Sequence, residues 1–264
     1  MKKFLVIGNP IEHSLSPKLH NYWIKENNLQ AIYAKLEVNE HDLLELCSNL
    51  KQGKLDGINV TVPFKNKIIT HLDILSGDAL RTQSVNTISI KDGNLIGHNT
   101  DIDGFELSIK KINYDLKDKT AVILGAGGVV PSIIYSLKKM GVSKIILTNR
   151  TMEKAEKLKE YFSDIEIVEW NKLPNFDIII NATILGLKKN DKFGVDFTKV
   201  GNNKLFYDVI YEPFQTEFSE AGNLVGNEFI NGLNMFLFQA QKAFNIWHNI
   251  KPKIDEKLIN FLKK

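Results

Sequence analysis

The sequence predicts an α/β protein of two domains: an N-terminal α/β domain with a mixed sheet, then a Rossmann-type domain on a doubly wound parallel sheet. Three observations predict it. Apolar strand-like runs alternate with helical periodicity along almost the whole chain. A glycine turn, Gly125-Ala126-Gly127-Gly128, follows an apolar strand directly and precedes a helical pattern. The 264 residues also exceed the roughly 100–150 of a usual single domain.

In the first half, residues 3–8 (KFLVIG) read as a strand. Ser16-Pro17 then opens a helix reaching Asn27, with Ser16 as N-cap and Pro17 in the first turn. AIYAKLEV (31–38) is a strand, residues 40–51 a helix with leucines at 43, 44, 46 and 50, and DGINVTV (56–62) a strand broken at Pro63. Two short helices lead to a hairpin, SVNTISI-KDGN-LIGHNT, turning at Asp92-Gly93. A helix from about Asp103 to Ile112 leads to the polar stretch 113–119, and the domain boundary falls near residues 102–118. From Thr120 the rhythm is strand, glycine turn, helix, strand (KIILTN), helix (TMEKAEKLKEYF), then IEIVEW, DIIINAT, KLFYDVI and EFING as strands. Two helices, 235–248 and about 254–262, close the chain.

Composition excludes several function classes. Hydrophobic residues make 43% and charged residues 25% of the chain, which is globular usage rather than disorder. The net charge of +3 is spread among interleaved Lys, Asp and Glu, too weak a bias for nucleic acid. One cysteine, Cys47, excludes an internal disulfide, and its leucine-rich setting reads as a buried small hydrophobe. The N-terminus reads as a first strand rather than a signal peptide, and no apolar run approaches the roughly 18 residues of a membrane span. The expectation is a soluble cytoplasmic protein with a small-molecule substrate, as monomer or homodimer.

Glycines after a strand let the backbone approach a pyrophosphate held at a helix N-terminus. The third position of G-x-G-x-x-G is Val130, so the fingerprint is incomplete. The next strand ends in Asn149-Arg150-Thr151, with no acid to hold a ribose 2′-OH. Arg150 can bind a 2′-phosphate bidentately, so the pattern favours NADP over NAD. Thr183 lies at the carboxyl edge of a fourth strand, where dinucleotides bind.

The first half offers no glycine loop, no nucleophile elbow and no metal-ligand spacing; no metal is expected. It offers polar groups at strand ends: Ser14 and Ser16, Asn59 and Thr61 two apart, Lys65, Asn86 and Asp101. Such a set suits a small polyhydroxylated carboxylate. A lysine is protonated at neutral pH and can stabilise and protonate the oxygen of a ketone under hydride attack. Asp101 reads either as its partner or as the N-cap of the next helix.

Taken together these segments resemble the shikimate dehydrogenase family over nearly the whole chain. GNPIEHSLSPKLHN (8–21) is similar to its opening motif, implying that Ser14 and Ser16 hold the substrate carboxylate. GINVTVPFK (57–65), SVNT (84–87) and GHNTDIDG (97–104) imply catalytic Lys65 with Asp101 as its partner, and Asn59, Thr61 and Asn86 on substrate. DVIYEP (208–213) and NGLNMFLFQAQKAF (231–244) imply Tyr211 near substrate and nicotinamide, Gly232 and Met235 near nicotinamide, and Gln239 on substrate. The resemblance assigns Gly125, Ala126, Gly127, Gly128, Asn149, Arg150 and Thr151 to NADP. It implies a substrate domain of residues 1–102 with the final helices (about 235–264) packed back on it, an NADP domain of 103–234, and a cleft between them. The sequence departs from the family at Val129-Val130-Pro131, where an Arg is usual, at Asn234, where a Gly is usual, and in NATILGL.

The implied activity is reversible NADPH-dependent reduction of 3-dehydroshikimate to shikimate, in aromatic amino acid and chorismate biosynthesis. The rival readings are a quinate/shikimate dehydrogenase and a non-catalytic NADP- or shikimate-binding regulator.

Overall fold

Short apolar runs become strands and amphipathic runs become helices throughout the computed structural model, which describes residues 1–170, 172–188, 191–213, 216–223 and 226–263. The chain divides into two units, Met1–Gly104 with Leu237–Lys264, and Phe105–Phe236.

Unit 1 opens with β1 (Lys2–Gly8), α1 (Ser16–Glu26), β2 (Ala31–Glu37), α2 (Leu43–Lys51) and β3 (Gly57–Val60). After β4 (Ile74–Leu75) and α3 (Gly77–Thr82) comes the hairpin β5 (Thr87–Lys91) and β6 (Asn94–His98), then α4 (Asp101–Lys111). The sheet runs β2-β1-β3-β5-β6-β4. It is mixed: β1 pairs parallel with β2 and β3, while β3–β5 and β5–β6 are antiparallel. The hairpin closes through Asp92 and Gly93, both at positive φ, the twist that two-residue hairpin loops require.

Unit 2 contains β7 (Thr120–Leu124), α5 (Val130–Lys139), β8 (Lys144–Thr148), α6 (Met152–Tyr161), β9 (Glu166–Val168) and β10 (Ile178–Asn181). It ends with β11 (Leu205–Asp208), α7 (Glu217–Asn223) and β12 (Glu228–Ile230). Its sheet runs β12-β11-β10-β7-β8-β9, every pairing parallel. The strand order reverses between β7 and β10, and in open sheets ligands bind outside the carboxyl ends of the strands at that point. Both faces are buried, so the strands read as continuous apolar runs. Ala121, Ile123, Ile178 and Ile180 enter one core, and Val122, Leu124 and Ile179 the other.

The final helices, α8 (Leu233–His248) and α9 (Glu256–Leu262), carry aromatic groups onto unit 1's sheet. Phe4 meets Trp247 at 4.9 Å between ring centres, and Trp247 Nε1 donates to Ile88 O at 2.9 Å. Gly57 makes this approach possible, because a Cβ there would lie inside the Trp247 indole. Trp23 Nε1 donates to Lys253 O at 3.0 Å, so buried indoles keep their hydrogen bonds.

Several local expectations are corrected. Ser16 is the first helical residue rather than the N-cap: Leu15 is already in the right-handed helical region, and Ser14 Oγ accepts from Ser16 N at 3.3 Å. The stretch 40–51 splits into a 3-10 turn (Glu40–Asp42) and α2, because Asp42 caps back onto Asn39 N. Leu44 points to solvent, 65% exposed. Thr61 lies beyond the end of β3. Helix α4 starts at Asp101 rather than Asp103, with Asn99 Oδ1 accepting from Asp101 N. Helix α7 and the two-residue β4 carry no periodic signal long enough to read. Cys47 is buried and its thiol is pushed up to about 11, first by burial.

A fully buried carboxylate, Asp208, ends β11. Its Oδ1 accepts from Asn181 Nδ2 at 2.9 Å and Ile210 N at 3.0 Å, and its Oδ2 from Thr216 Oγ1 at 3.0 Å. All three donors are neutral, and burial pushes its pKa up to about 6.

Two outcomes are expected. Gly57→Ala forces the Trp247 ring to shift and destabilises by about 1–3 kcal/mol, read as a lower Tm; an unchanged Tm contradicts the packing. For Asp208, the folded chain binds a proton near pH 6 and the unfolded chain near 4, so this group's contribution to stability falls as pH rises between them. Stability of Asp208→Asn relative to the native chain should therefore shift toward Asn by about 3 kcal/mol between pH 4 and pH 7.5, measured by urea unfolding at each pH.

Candidate active site

In unit 1 the site grows from the turn after β3. Thr61 N donates to Ile7 O, and Phe64, buried at 3% exposure, anchors the turn through Phe64 N to Thr61 O at 2.9 Å. Val85 N donates to Lys65 O at 2.8 Å, fixing the lysine backbone beside Asn86. The side chain then meets Asp101: Lys65 Nζ donates to Oδ2 at 2.6 Å, with 11% and 8% of the two side chains exposed.

Asn86 holds the other carboxylate oxygen, Nδ2 to Asp101 Oδ1 at 2.9 Å. Its second amide proton goes to Thr100 Oγ1 at 2.9 Å, and its Oδ1 accepts from Thr100 N at 2.8 Å. Asp101 is thus not a helix cap. Asn99 takes that duty, and the carboxylate is free for Lys65 at a helix N-terminus, where negative charge is favoured. Asn59, expected on substrate, spends both amide protons inside the protein, on Asn86 O and Thr87 Oγ1, each at 2.9 Å. Its Oδ1 accepts from Tyr33 OH at 2.6 Å. Ser14 and Ser16 are half-buried, Thr61 likewise, with its methyl against Gly8. Gln239 lies half-buried on α8. Asp101 takes one of the three protons of the lysine ammonium; such a cation can stabilise and protonate a developing oxyanion.

In unit 2, Gly125 leaves β7 at φ +108°, and a Cβ there would sit 2.9 Å from Ala182 O, so only glycine fits. Gly127 and Gly128 are exposed and Ala126 half-buried, ahead of α5 with Pro131 in its first turn. That leaves a backbone surface open to a pyrophosphate. Thr183 braces the facing turn: its hydroxyl donates to Asn181 Oδ1 at 2.7 Å and accepts from Leu185 N at 3.0 Å. After β8, Arg150 and Thr151 are exposed, while Asn149 Nδ2 already donates to Thr151 O at 2.6 Å. Arg150 and Thr151 fit a 2′-phosphate, so the donor set suits NADP. Asp191 lies within Coulomb reach of Arg150, its carboxyl held below its ordinary range by the Lys188 N–H first.

Tyr211 stacks on Phe236, ring centres 4.6 Å apart and 20° between planes. Gly232 is required by close approach, since a Cβ would run into Val209 O, and Gly232 N donates to Ile210 O at 3.1 Å. Met235 is buried in the core rather than open to a ligand, and Asn234 Oδ1 accepts from Lys111 Nζ at 2.9 Å. Sequence reasoning missed Tyr33, Thr87, Asp191 and Asp208; Asn99 and Thr100 are legible only as polar residues at the end of the hairpin. Only Tyr33 carried a signal, as an aromatic residue on a strand otherwise exposed or half-buried. Among the described residues no three His, Cys, Asp or Glu side chains are grouped to hold a metal ion, and no helix is long and apolar enough to cross a membrane.

Residues 6–88 match the family described as the shikimate dehydrogenase substrate binding domain, and residues 106–187 the family described as shikimate / quinate 5-dehydrogenase. The shikimate dehydrogenase (NADP(+)) of Pelagibacter ubique is 51% identical over 99% of this chain and 98% of its own. A solved shikimate dehydrogenase in complex with NADP+ is 33% identical, with TM-score 0.92 over 100% of this chain and 95% of its own. The shikimate 5-dehydrogenase of Listeria monocytogenes, in complex with shikimate and NAD, is 29% identical, with TM-score 0.87 over 100% of this chain and 95% of its own. With a buried Lys65–Asp101 pair in one unit, a glycine turn at the strand-order reversal of the other, and these likenesses end to end, the chain belongs to the shikimate dehydrogenase family.

Proposed function

We propose that this chain is an NADP-dependent shikimate dehydrogenase, reversibly reducing 3-dehydroshikimate to shikimate in aromatic amino acid and chorismate biosynthesis. The observation that carries the reading is the buried Lys65–Asp101 pair, both carboxylate oxygens engaged and two lysine protons left for substrate. Unit 1 serves as the substrate and catalytic domain, and unit 2 as the NADP domain. The same reading makes the protein cytoplasmic, a monomer or homodimer acting on small molecules.

When bound, NADPH supplies the hydride for the C3 ketone. Lys65 holds a proton on Nζ, stabilises the charge growing on the ketone oxygen and delivers the proton to it. Asp101 keeps that ammonium aimed. Ser14 and Ser16 hold the substrate carboxylate, while Thr61, Asn86, Asn59, Tyr211 and Gln239 fix the ring and its hydroxyls. Gly125, Ala126, Gly127 and Gly128 take the pyrophosphate; Asn149, Arg150 and Thr151 take the 2′-phosphate; Thr183, Gly232 and Met235 border the nicotinamide side. Asn59, Asn86 and Met235 act mainly by shaping the pocket, since the amide protons of both asparagines are already used and the methionine is buried.

Purified protein with shikimate and NADP should produce the reduced-nicotinamide absorbance, and equal turnover of quinate would move the reading to a shikimate/quinate enzyme. Shikimate binding with no turnover would make it a regulator. Lys65→Ala should lower kcat on the order of 10²–10⁴-fold, as removal of a general acid does, with shikimate still bound by calorimetry. Arg150→Ala should raise KM for NADP by about 10–100-fold and leave KM for NAD unchanged. An equal effect on both cofactors contradicts a 2′-phosphate contact.

A further inference from the structure

The hydrogen bonds that lead to the expected catalytic lysine begin at a buried residue with no assigned role, Tyr33, and run through Asn59, Asn86 and Asp101. Tyr33 is 2% exposed on β2. Its hydroxyl donates to Asn59 Oδ1 at 2.6 Å, and the Ser16 side chain lies close enough to the phenol to influence it. Asn59 continues to Asn86 O and Thr87 Oγ1, and Asn86 to Asp101, which holds Lys65.

The phenol is fixed independently of any ligand. Asn21 of α1 clamps the Tyr33 backbone at two points, Nδ2 to Tyr33 O at 2.7 Å and Oδ1 from Tyr33 N at 3.0 Å. His20, one residue earlier, lies flat on the ring, 4.2 Å between centres and 5° between planes. Burial drives the His20 pKa down to about 3, so this contact is a neutral imidazole stack across the working pH range.

We propose that Tyr33 is a positioning residue for substrate, its hydroxyl setting the orientation of the Asn59 amide at the substrate site. This rests on the shikimate reading above. The Asn59 amide has two ways round. With Oδ1 toward the phenol, both amide protons face acceptors. Flipped, Oδ1 would face the carbonyl of Asn86, and two acceptors would repel. The tyrosine proton is the donor that secures the first arrangement. Loss of the hydroxyl therefore frees the Asn59 amide to turn, while Lys65 and Asp101 keep their own bond.

The test is Tyr33→Phe, which keeps the ring, its stack on His20 and the backbone clamp. Melting curves establish that the variant is folded. KM for shikimate should rise about five- to tenfold, the equivalent of one net hydrogen bond, with kcat within threefold and KM for NADP unchanged. In a double-mutant cycle, Y33F should add less than twofold in kcat/KM once Asn59→Ala has been made. A KM for shikimate within twofold of the native value overturns the proposal. So does an equal loss in shikimate and NADP parameters, the mark of a merely structural role, or full additivity in the cycle. An inactive native enzyme would instead overturn the shikimate reading itself, so the two failures are distinguishable.

Discussion

Lys65 and Asp101 are opposite charges that together keep about a tenth of their exposure to water. Removing ions from water costs several kcal/mol each, and their mutual attraction offsets this only when geometry is good and the remaining lone pairs and protons are satisfied. Much of unit 1's local structure meets that condition. Asn86 fills the second carboxylate oxygen, Thr100 orients Asn86, Asn99 relieves Asp101 of capping α4, and Val85 pins the lysine backbone. Each of these lies within a residue or two of the hairpin. The antiparallel β3–β5 and β5–β6 pairings inside a sheet that is otherwise parallel are what bring the Lys65, Asn86 and Asp101 segments together.

Unit 2 meets a different constraint. Its strands are buried on both faces, so its polar groups gather at the carboxyl ends of β7, β8, β10 and β11. There the chain needs glycine for close approach and side-chain acceptors to finish the turns. Gly125 against Ala182, Thr183 bracing its own turn and Asp208 tying β10 to α7 solve the same problem at neighbouring strand ends. A carboxylate with only neutral donors is a costly solution, and it is confined to the one place where two loops and a helix start must be joined.

Much of this was legible in the sequence. The glycine turn, the Asp92-Gly93 hairpin and the doubly buried strands follow from local chemistry, and they carried the fold. Lys65 and Asp101 are 36 residues apart; no spacing rule joins them, so the residues alone leave Asp101 as partner or helix cap, and the resemblance implies the pair. Tyr33 escaped because its partner Asn59 lies 26 residues away on a non-adjacent strand. The capping error at Ser16 arose because Leu15 had already entered helical geometry, which no side-chain preference reveals. The residue type of Asn59 is legible in the sequence, but the partners of its amide, 27 and 28 residues further on, are not.

Unit 1 is split in sequence: its sheet comes from residues 1–104, and the helix bearing Phe244 and Trp247 arrives only after all of unit 2 has been made. At ribosomal speeds that delay is on the order of ten seconds. Throughout it Phe4, His20, Trp23 and Tyr33 lack the rings that cover them in the finished protein. The sheet segments that precede unit 2 are therefore sealed only after it has been made, while the contiguous second unit can close on its own. During biosynthesis this chain presents an aromatic sheet face that chaperones would have to shield, and loss of the final helices would strip cover from unit 1 rather than from unit 2.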